Sequence, residues 1–114
     1  MRILIVSDAW HPQINGVVRT YEDLNAHLEN DSHIVRVIGP HDFPRRIHMP
    51  GYREIELAIA PARHLKILAD DFGPETIHIA TEGPLGWAMR RMCLIRGWPF
   101  TTAFHTPFPD YAAL

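Results

Sequence analysis

The sequence predicts an α/β fold, a Rossmann-like doubly wound parallel sheet with the strand order 3-2-1-4-5. Three apolar runs break abruptly into polar residues and Gly or Pro: Ile3-Leu4-Ile5-Val6 into Ser7-Asp8, Ile77-His78-Ile79-Ala80 into Thr81-Glu82-Gly83-Pro84, and 100–104 into His105-Thr106. Such runs suit the strands of a parallel sheet covered on both faces. Strand-period and helix-period segments also alternate along the chain, which implies right-handed parallel crossovers. The 114 residues, 46% of them hydrophobic, fit one domain with enough apolar content for a core.

Taken in order, the first strand at 3–6 gives way to a polar loop at 8–16. A helical stripe of Val17, Val18, Tyr21, Leu24 and Leu28 follows at three- and four-residue spacing. Val35-Arg36-Val37-Ile38 reads as the second strand, closed by Gly39-Pro40. Pro40, Pro44 and Pro50, with Arg45 and Arg46 among them, make 41–51 read as a loop. A third, weaker strand covers 52–59. Pro61 starts a helix through Leu65, Leu68 and Phe72, which Gly73-Pro74 stops. The fourth strand is 76–80, the next helix 85–96 ends at Gly97, and the fifth strand is 100–104. There is no internal repeat or low-complexity tract, so one domain is expected.

Composition narrows the function classes. A formal net charge of −2 with mixed signs gives no electrostatic reason to expect nucleic acid. Cys93 is the sole cysteine, so no internal disulfide can form and a multi-cysteine zinc site is excluded. A reducing compartment fits that usage. The amino terminus meets Asp8 too soon for a signal peptide, and no run approaches the roughly 20 apolar residues of a membrane span. The expectation is a cytoplasmic protein, one that could touch the inner face of a membrane without crossing it.

In the expected order, strands one and four lie side by side at the switch point, where open α/β sheets bind ligands. The loops carrying Asp8, Asn15, Gly16, Glu82 and Gly83 converge there, and His105 comes from the neighbouring strand. Asn15-Gly16 precedes a helix, whose free N–H groups and dipole suit a phosphate. On spacing alone an ordinary cap and tight turn is the favoured reading, because no full dinucleotide or P-loop fingerprint is present. Gly83-Pro84-Leu85-Gly86 opens another helix with good capping chemistry. His105 follows a buried strand and can act as donor, acid or base near neutral pH, or can simply cap the strand end. The eight histidines match no metal spacing, so no metal is expected. Asp8 lacks the clustered acids and lysine of a receiver-domain phosphoacceptor; Lys66, the sole lysine, falls on a helix away from the mouth. Arg90, Arg91 and Arg96 beside Met89, Met92 and Leu94 read as a core stripe with a basic edge, with anionic lipid headgroups as the minority reading.

Three blocks in order resemble the retaining family 4 glycosyltransferases of GT-B fold: 8–20, running Asp8-Ala9-Trp10-His11-Pro12-Gln13-Ile14-Asn15-Gly16-Val17-Val18-Arg19-Thr20; 78–86, running His78-Ile79-Ala80-Thr81-Glu82-Gly83-Pro84-Leu85-Gly86; and 104–111 from Phe104 to Tyr111. They look most like the branch of GDP-mannose-dependent α-mannosyltransferases and of sulfoquinovosyl or glucosyl transferases that build glycolipids. The resemblance implies that Asn15, Gly16 and Val17 bring backbone N–H groups toward the donor phosphates. It implies that His105 contacts the transferred sugar, and that Asp8, Thr81, Glu82, Gly83, Gly86 and Thr106 shape the acceptor side. Preorganised backbone donors can stabilise the leaving diphosphate without a metal, so no cofactor is expected beyond the nucleotide-sugar substrate.

A GT-B enzyme has two Rossmann-like domains, the second gripping the nucleotide sugar. The expectation for 1–114 is therefore an incomplete GT-B amino-terminal domain, inactive alone or completed by a separate carboxyl-terminal domain chain, with a lipid or polyol acceptor. Strand five would be an open edge, favouring self-association. Asp31-Ser32 stands where the helix-to-strand turn of the family usually holds a glycine. The alternative is a non-catalytic module binding a phosphate or lipid headgroup; a flavodoxin-like or receiver module rests on fold analogy alone.

Overall fold

The computed structural model describes residues 1–9, 16–49 and 52–103, with side chains described at all of these except 16, 17, 49 and 52–55. The elements are β1 (Arg2–Val6), α1 (Gly16–Asn30), β2 (Ile34–Ile38), a 3-10 turn at Pro40–Asp42, β3 (Arg46–Met49), β4 (Tyr52–Ala58), α2 (Ala62–Phe72), β5 (Thr76–Ile79), α3 (Pro84–Arg96) and β6 (Thr101–Thr102). Four strands form a parallel sheet in the order β2-β1-β5-β6. The order reverses between β1 and β5, which makes their carboxyl ends the switch point.

Period-two alternation sorts the strand residues between two cores. Ile3 and Ile5 of β1 face Tyr21 of α1, with Val37 and Ala80. Leu4 and Val6 face the opposite way, into a larger cluster with Ile38, Leu65, Ala69, Ile77, Ile79, Leu85, Met89 and Cys93. The β1 side chains from Leu4 to Val6 are at most 1% exposed, as expected of a central strand covered on both faces. Cys93 sits in this core, and burial pushes its thiol up to about 11 despite nearby Arg96. It is a packing residue and not a reactive nucleophile.

Helix ends follow the local sequence. Gly73 and Gly97 close α2 and α3 in the left-handed region at φ 66° and 68°, each returning its N–H to the carbonyl four residues back. At the end of α1, Ser32 donates its N–H to the Glu29 carbonyl at 3.0 Å and His33 to the Leu28 carbonyl at 3.1 Å, the paired bonds of a Schellman motif. Ser32 therefore occupies the left-handed position at φ 67° that glycine fills without steric cost. Ser32→Gly is expected to raise unfolding stability by about 1 kcal/mol in urea melts, with unchanged slope; no gain, or a loss, would contradict this account of the turn.

One part of the expected architecture is corrected. The third strand, 52–59, does not extend the sheet beside β2. It forms β4, paired antiparallel with β3 in a separate two-stranded sheet, and β3 lies in the stretch expected to be a loop. The register sets Arg46 opposite Ala58, Ile47 opposite Leu57 and His48 opposite Glu56, with an irregularity at His48/Met49. The composition of β4, Tyr52-Arg53-Glu54-Ile55-Glu56-Leu57-Ala58, explains the outcome. Alternating charged residues suit an antiparallel strand with one wet face and would be stranded in a doubly covered parallel sheet. β3 also lies immediately upstream, close enough in sequence to pair antiparallel with β4. The Arg46 Nε to Glu56 Oε2 ion pair at 3.1 Å ties the two strands, and Phe43 and Ala58 anchor the unit in the larger core. Of the last expected strand, the described residues pair at Thr101 and Thr102, with His78 and Ile79, and Phe104 lies outside them.

Candidate functional site

At the carboxyl ends of β1 and β5 the chain spends its polar residues on one another. Ser7 is fully buried; its N–H reaches the Ile38 carbonyl, and its hydroxyl donates to the Ala9 carbonyl at 2.6 Å. Asp8, 7% exposed, turns across to the amino end of α3. Its carboxylate accepts from the Leu85 N–H at 2.8 Å, the Gly86 N–H at 3.3 Å and the Thr81 hydroxyl at 2.7 Å, while its own N–H donates to Thr81 Oγ1 at 2.7 Å.

The reason for this long-range clasp lies in the start of α3. Gly83 is the N-cap and has no side chain to satisfy the first-turn N–H groups. The carboxylate of Asp8, just past β1 and more than seventy residues earlier, performs that job, in a place where the helix dipole favours negative charge. The closeness requires glycine. A Cβ on Gly83 would lie 2.4 Å from Asp8 Cγ, and one on Gly86 would lie 1.9 Å from the Thr81 carbonyl oxygen. Burial pushes the Asp8 carboxyl above its ordinary 3.8, opposed by the bonds from Leu85, Thr81 and Gly86.

Asp8, Thr81, Gly83 and Gly86 are thus brought together, and Glu82 stands exposed beside them. Gly16 and Val17 are described as the first two backbone positions of α1. Asn15, His105 and Thr106 lie outside the described residues, as does His11. Among the described residues no group of three His, Cys, Asp or Glu could hold a metal ion. No helix among them is long and apolar enough to cross a membrane.

The basic edge of α3 is partly committed within the fold. Arg96 forms a two-pronged pair with Asp70 of α2, at 2.5 and 3.1 Å, and lies 4.6 Å over the Trp98 ring. Arg91 lines a cleft of about 210 Å³ between α2 and α3 with Lys66, Ala88, Met92 and Ile95.

Sequence reasoning did not find His78. It lies on the α1 face of the sheet, opposite in parity to Ile77 and Ile79. Its Nε2 is 2.9 Å from the Tyr21 hydroxyl, and its Nδ1 is 2.7 Å from Thr101 Oγ1. Burial lowers the pKa of His78 and raises that of Tyr21, so both are neutral near pH 7. The available signal was a lone polar ring at an odd position within an apolar strand.

The glycosyltransferase family 4 model matches residues 14–114. Over 99% of this chain, a GDP-mannose-dependent alpha-mannosyltransferase of Mycobacterium tuberculosis is 25% identical; a protein of the same description from Mycolicibacterium smegmatis is 28% identical over 98%. The chain spans about a third, 34%, of the length of each of these relatives. No solved structure gives a significant match. With a family match over most of its residues, a parallel α/β sheet, and the motif loop 81–86 clasped to Asp8 at the switch point, the chain belongs to glycosyltransferase family 4.

Proposed function

We propose that this chain is the amino-terminal, acceptor-side portion of a retaining glycosyltransferase. The enzyme transfers a hexose, mannose in the first instance, from a nucleotide sugar to a hydroxyl of a lipid or polyol acceptor. The observation that carries the reading is the family 4 match over 14–114 on a sheet whose switch point gathers the motif residues. The names of the two mycobacterial relatives support GDP-mannose as the donor to try first.

In this reading the backbone N–H groups of Asn15, Gly16 and Val17 meet the donor phosphates. Asp8 holds the amino end of α3, and α1 starts at Gly16, where a helix dipole favours an anion. Aimed N–H donors stabilise charge growing on the leaving diphosphate, each contributing about 10²–10³ in rate in comparable oxyanion sites. His105 contacts the transferred sugar. Glu82 and Thr106 face the acceptor, while Asp8, Thr81, Gly83 and Gly86 fix the loop that presents them. A second domain supplies the nucleotide grip, so residues 1–114 by themselves are inactive.

The test is GDP release from GDP-mannose by the full-length gene product, supplied with lipids extracted from the encoding cells. The expected result is GDP formation matched by mannose entering a lipid. Saturable binding of GDP-mannose with no GDP formed would replace this reading with a non-catalytic phosphate-binding module.

A further inference from the structure

We propose that His78 is a positioning residue for transfer: it ties the second turn of α1 to the first residue of β6 through Tyr21 and Thr101. The inference rests on the reading that donor phosphates meet the amino end of α1 and that His105 acts beyond β6.

The geometry supplies the link. A neutral imidazole has one donor and one acceptor nitrogen, and hydroxyls can serve either. Whichever tautomer is present, Tyr21 and Thr101 complete it, at 2.9 and 2.7 Å. Tyr21 lies on α1, five residues or about one and a half turns after Gly16. Thr101 lies on β6, four residues before His105. Among the described residues β6 is short: Thr101 and Thr102 pair with β5 and are exposed, and the Ala103 N–H adds one bond to the Ile79 carbonyl at 3.2 Å. The hydroxyl–imidazole–hydroxyl chain therefore joins two elements that lie on different sides of β5 and carry the two proposed halves of the donor-side machinery. An apolar residue at 78 would satisfy the sheet face equally well and would leave that spacing unset. Small errors of placement are costly in transfer reactions, where about 1 Å can lose roughly a hundredfold in rate.

The test uses the two partners, so that each bond of the tie is removed separately while the imidazole stays in place. Tyr21→Phe keeps the ring and Thr101→Val keeps the shape; each removes one hydroxyl. In the full-length gene product each variant is expected to lower kcat for GDP-mannose turnover about tenfold, with the donor KM within about twofold. The double variant should be no slower than the slower single one, since breaking either bond breaks the tie. Hydrogen exchange supplies a readout independent of turnover. Thr101→Val should speed exchange at the start of α1, and Tyr21→Phe at β6, each by about tenfold. Absent turnover in the wild type would remove the proposed function and leave the exchange result to decide the tie. Additive losses of thermal stability with unchanged kcat, or exchange changes confined to the mutated element, would overturn the inference.

Discussion

Gly86→Ala is expected to cost more stability than a methyl added at the helix-ending Gly73 or Gly97. The added Cβ would stand 1.9 Å from the Thr81 carbonyl oxygen, 3.1 Å from its carbon and 3.3 Å from Ile79 Cγ2. The main obstacle is backbone at the end of β5, so no rotamer change relieves it. α3 must move away from the sheet, which opens the packing of Leu85 and Met89, both fully buried, against β5. It also lengthens the Asp8 bonds to Leu85 and Gly86. Overpacking costs of this kind run to about 3 kcal/mol and sometimes beyond. For a domain of this size that corresponds to a drop in Tm of roughly 12 °C or more. Gly97→Ala is the control: its Cβ meets nothing within 4 Å, but the residue sits at φ 68°. It should cost only about 1 kcal/mol, from backbone strain. Equal melting temperatures for the two variants would contradict the close approach of α3 to β5.

The second large effect is expected at Asp8. Removing the carboxylate with Asp8→Ala leaves the Leu85 and Gly86 N–H groups and the Thr81 hydroxyl without this acceptor, and leaves a helix whose own N-cap is a glycine. A lost cap contributes about 1 kcal/mol and stranded buried donors another 1–3, so the total cost is about 3 kcal/mol. Asp8→Asn keeps an acceptor for Leu85 and should cost about 1 kcal/mol. The pH dependence separates the two further. The folded pKa of Asp8 lies above 3.8 because burial outweighs the hydrogen bonds to the carboxylate. The folded state then holds this proton more tightly than the unfolded chain. The linked stabilisation is fully present below 3.8 and is lost as pH rises through the folded value. In Asp8→Asn that decline should disappear from the urea-melt profile. A wild-type stability that instead rises across this window relative to the Asn variant would reverse the assignment and make the hydrogen bonds dominant.

Much of the fold was legible because local chemistry and global placement agree. The apolar run 3–6 could only be a covered strand. Gly73 and Gly97 end helices where left-handed backbone is needed, and Ser32 stands where the turn after α1 asks for glycine. The hairpin was hidden by Pro44 and Pro50, which make 41–51 look irregular, although the four residues Arg46–Met49 between them form a strand. Its partner β4 alternates charge with apolar residues, a pattern that names a strand and leaves its neighbour unnamed.

The site was legible as a place before it was legible as a mechanism. Asp8 after β1 and Gly83-Pro84-Leu85-Gly86 before α3 each looked ordinary alone. The bond between them spans 77 residues from Asp8 to Leu85, which no local pattern encodes. The Tyr21–His78–Thr101 chain is hidden for the same reason, its three members lying on three elements.

The central claim, that this sheet edge is the acceptor-side half of a mannosyl-transfer site, is tested most directly at His105. GDP formation from GDP-mannose should be measured for the full-length gene product, wild type beside His105→Ala, with the anomeric configuration of the product determined. The account predicts a product with retained configuration, and a kcat roughly a hundredfold lower in the variant with the donor KM little changed. A variant that transfers mannose at the wild-type rate, or a product of inverted configuration, would contradict it.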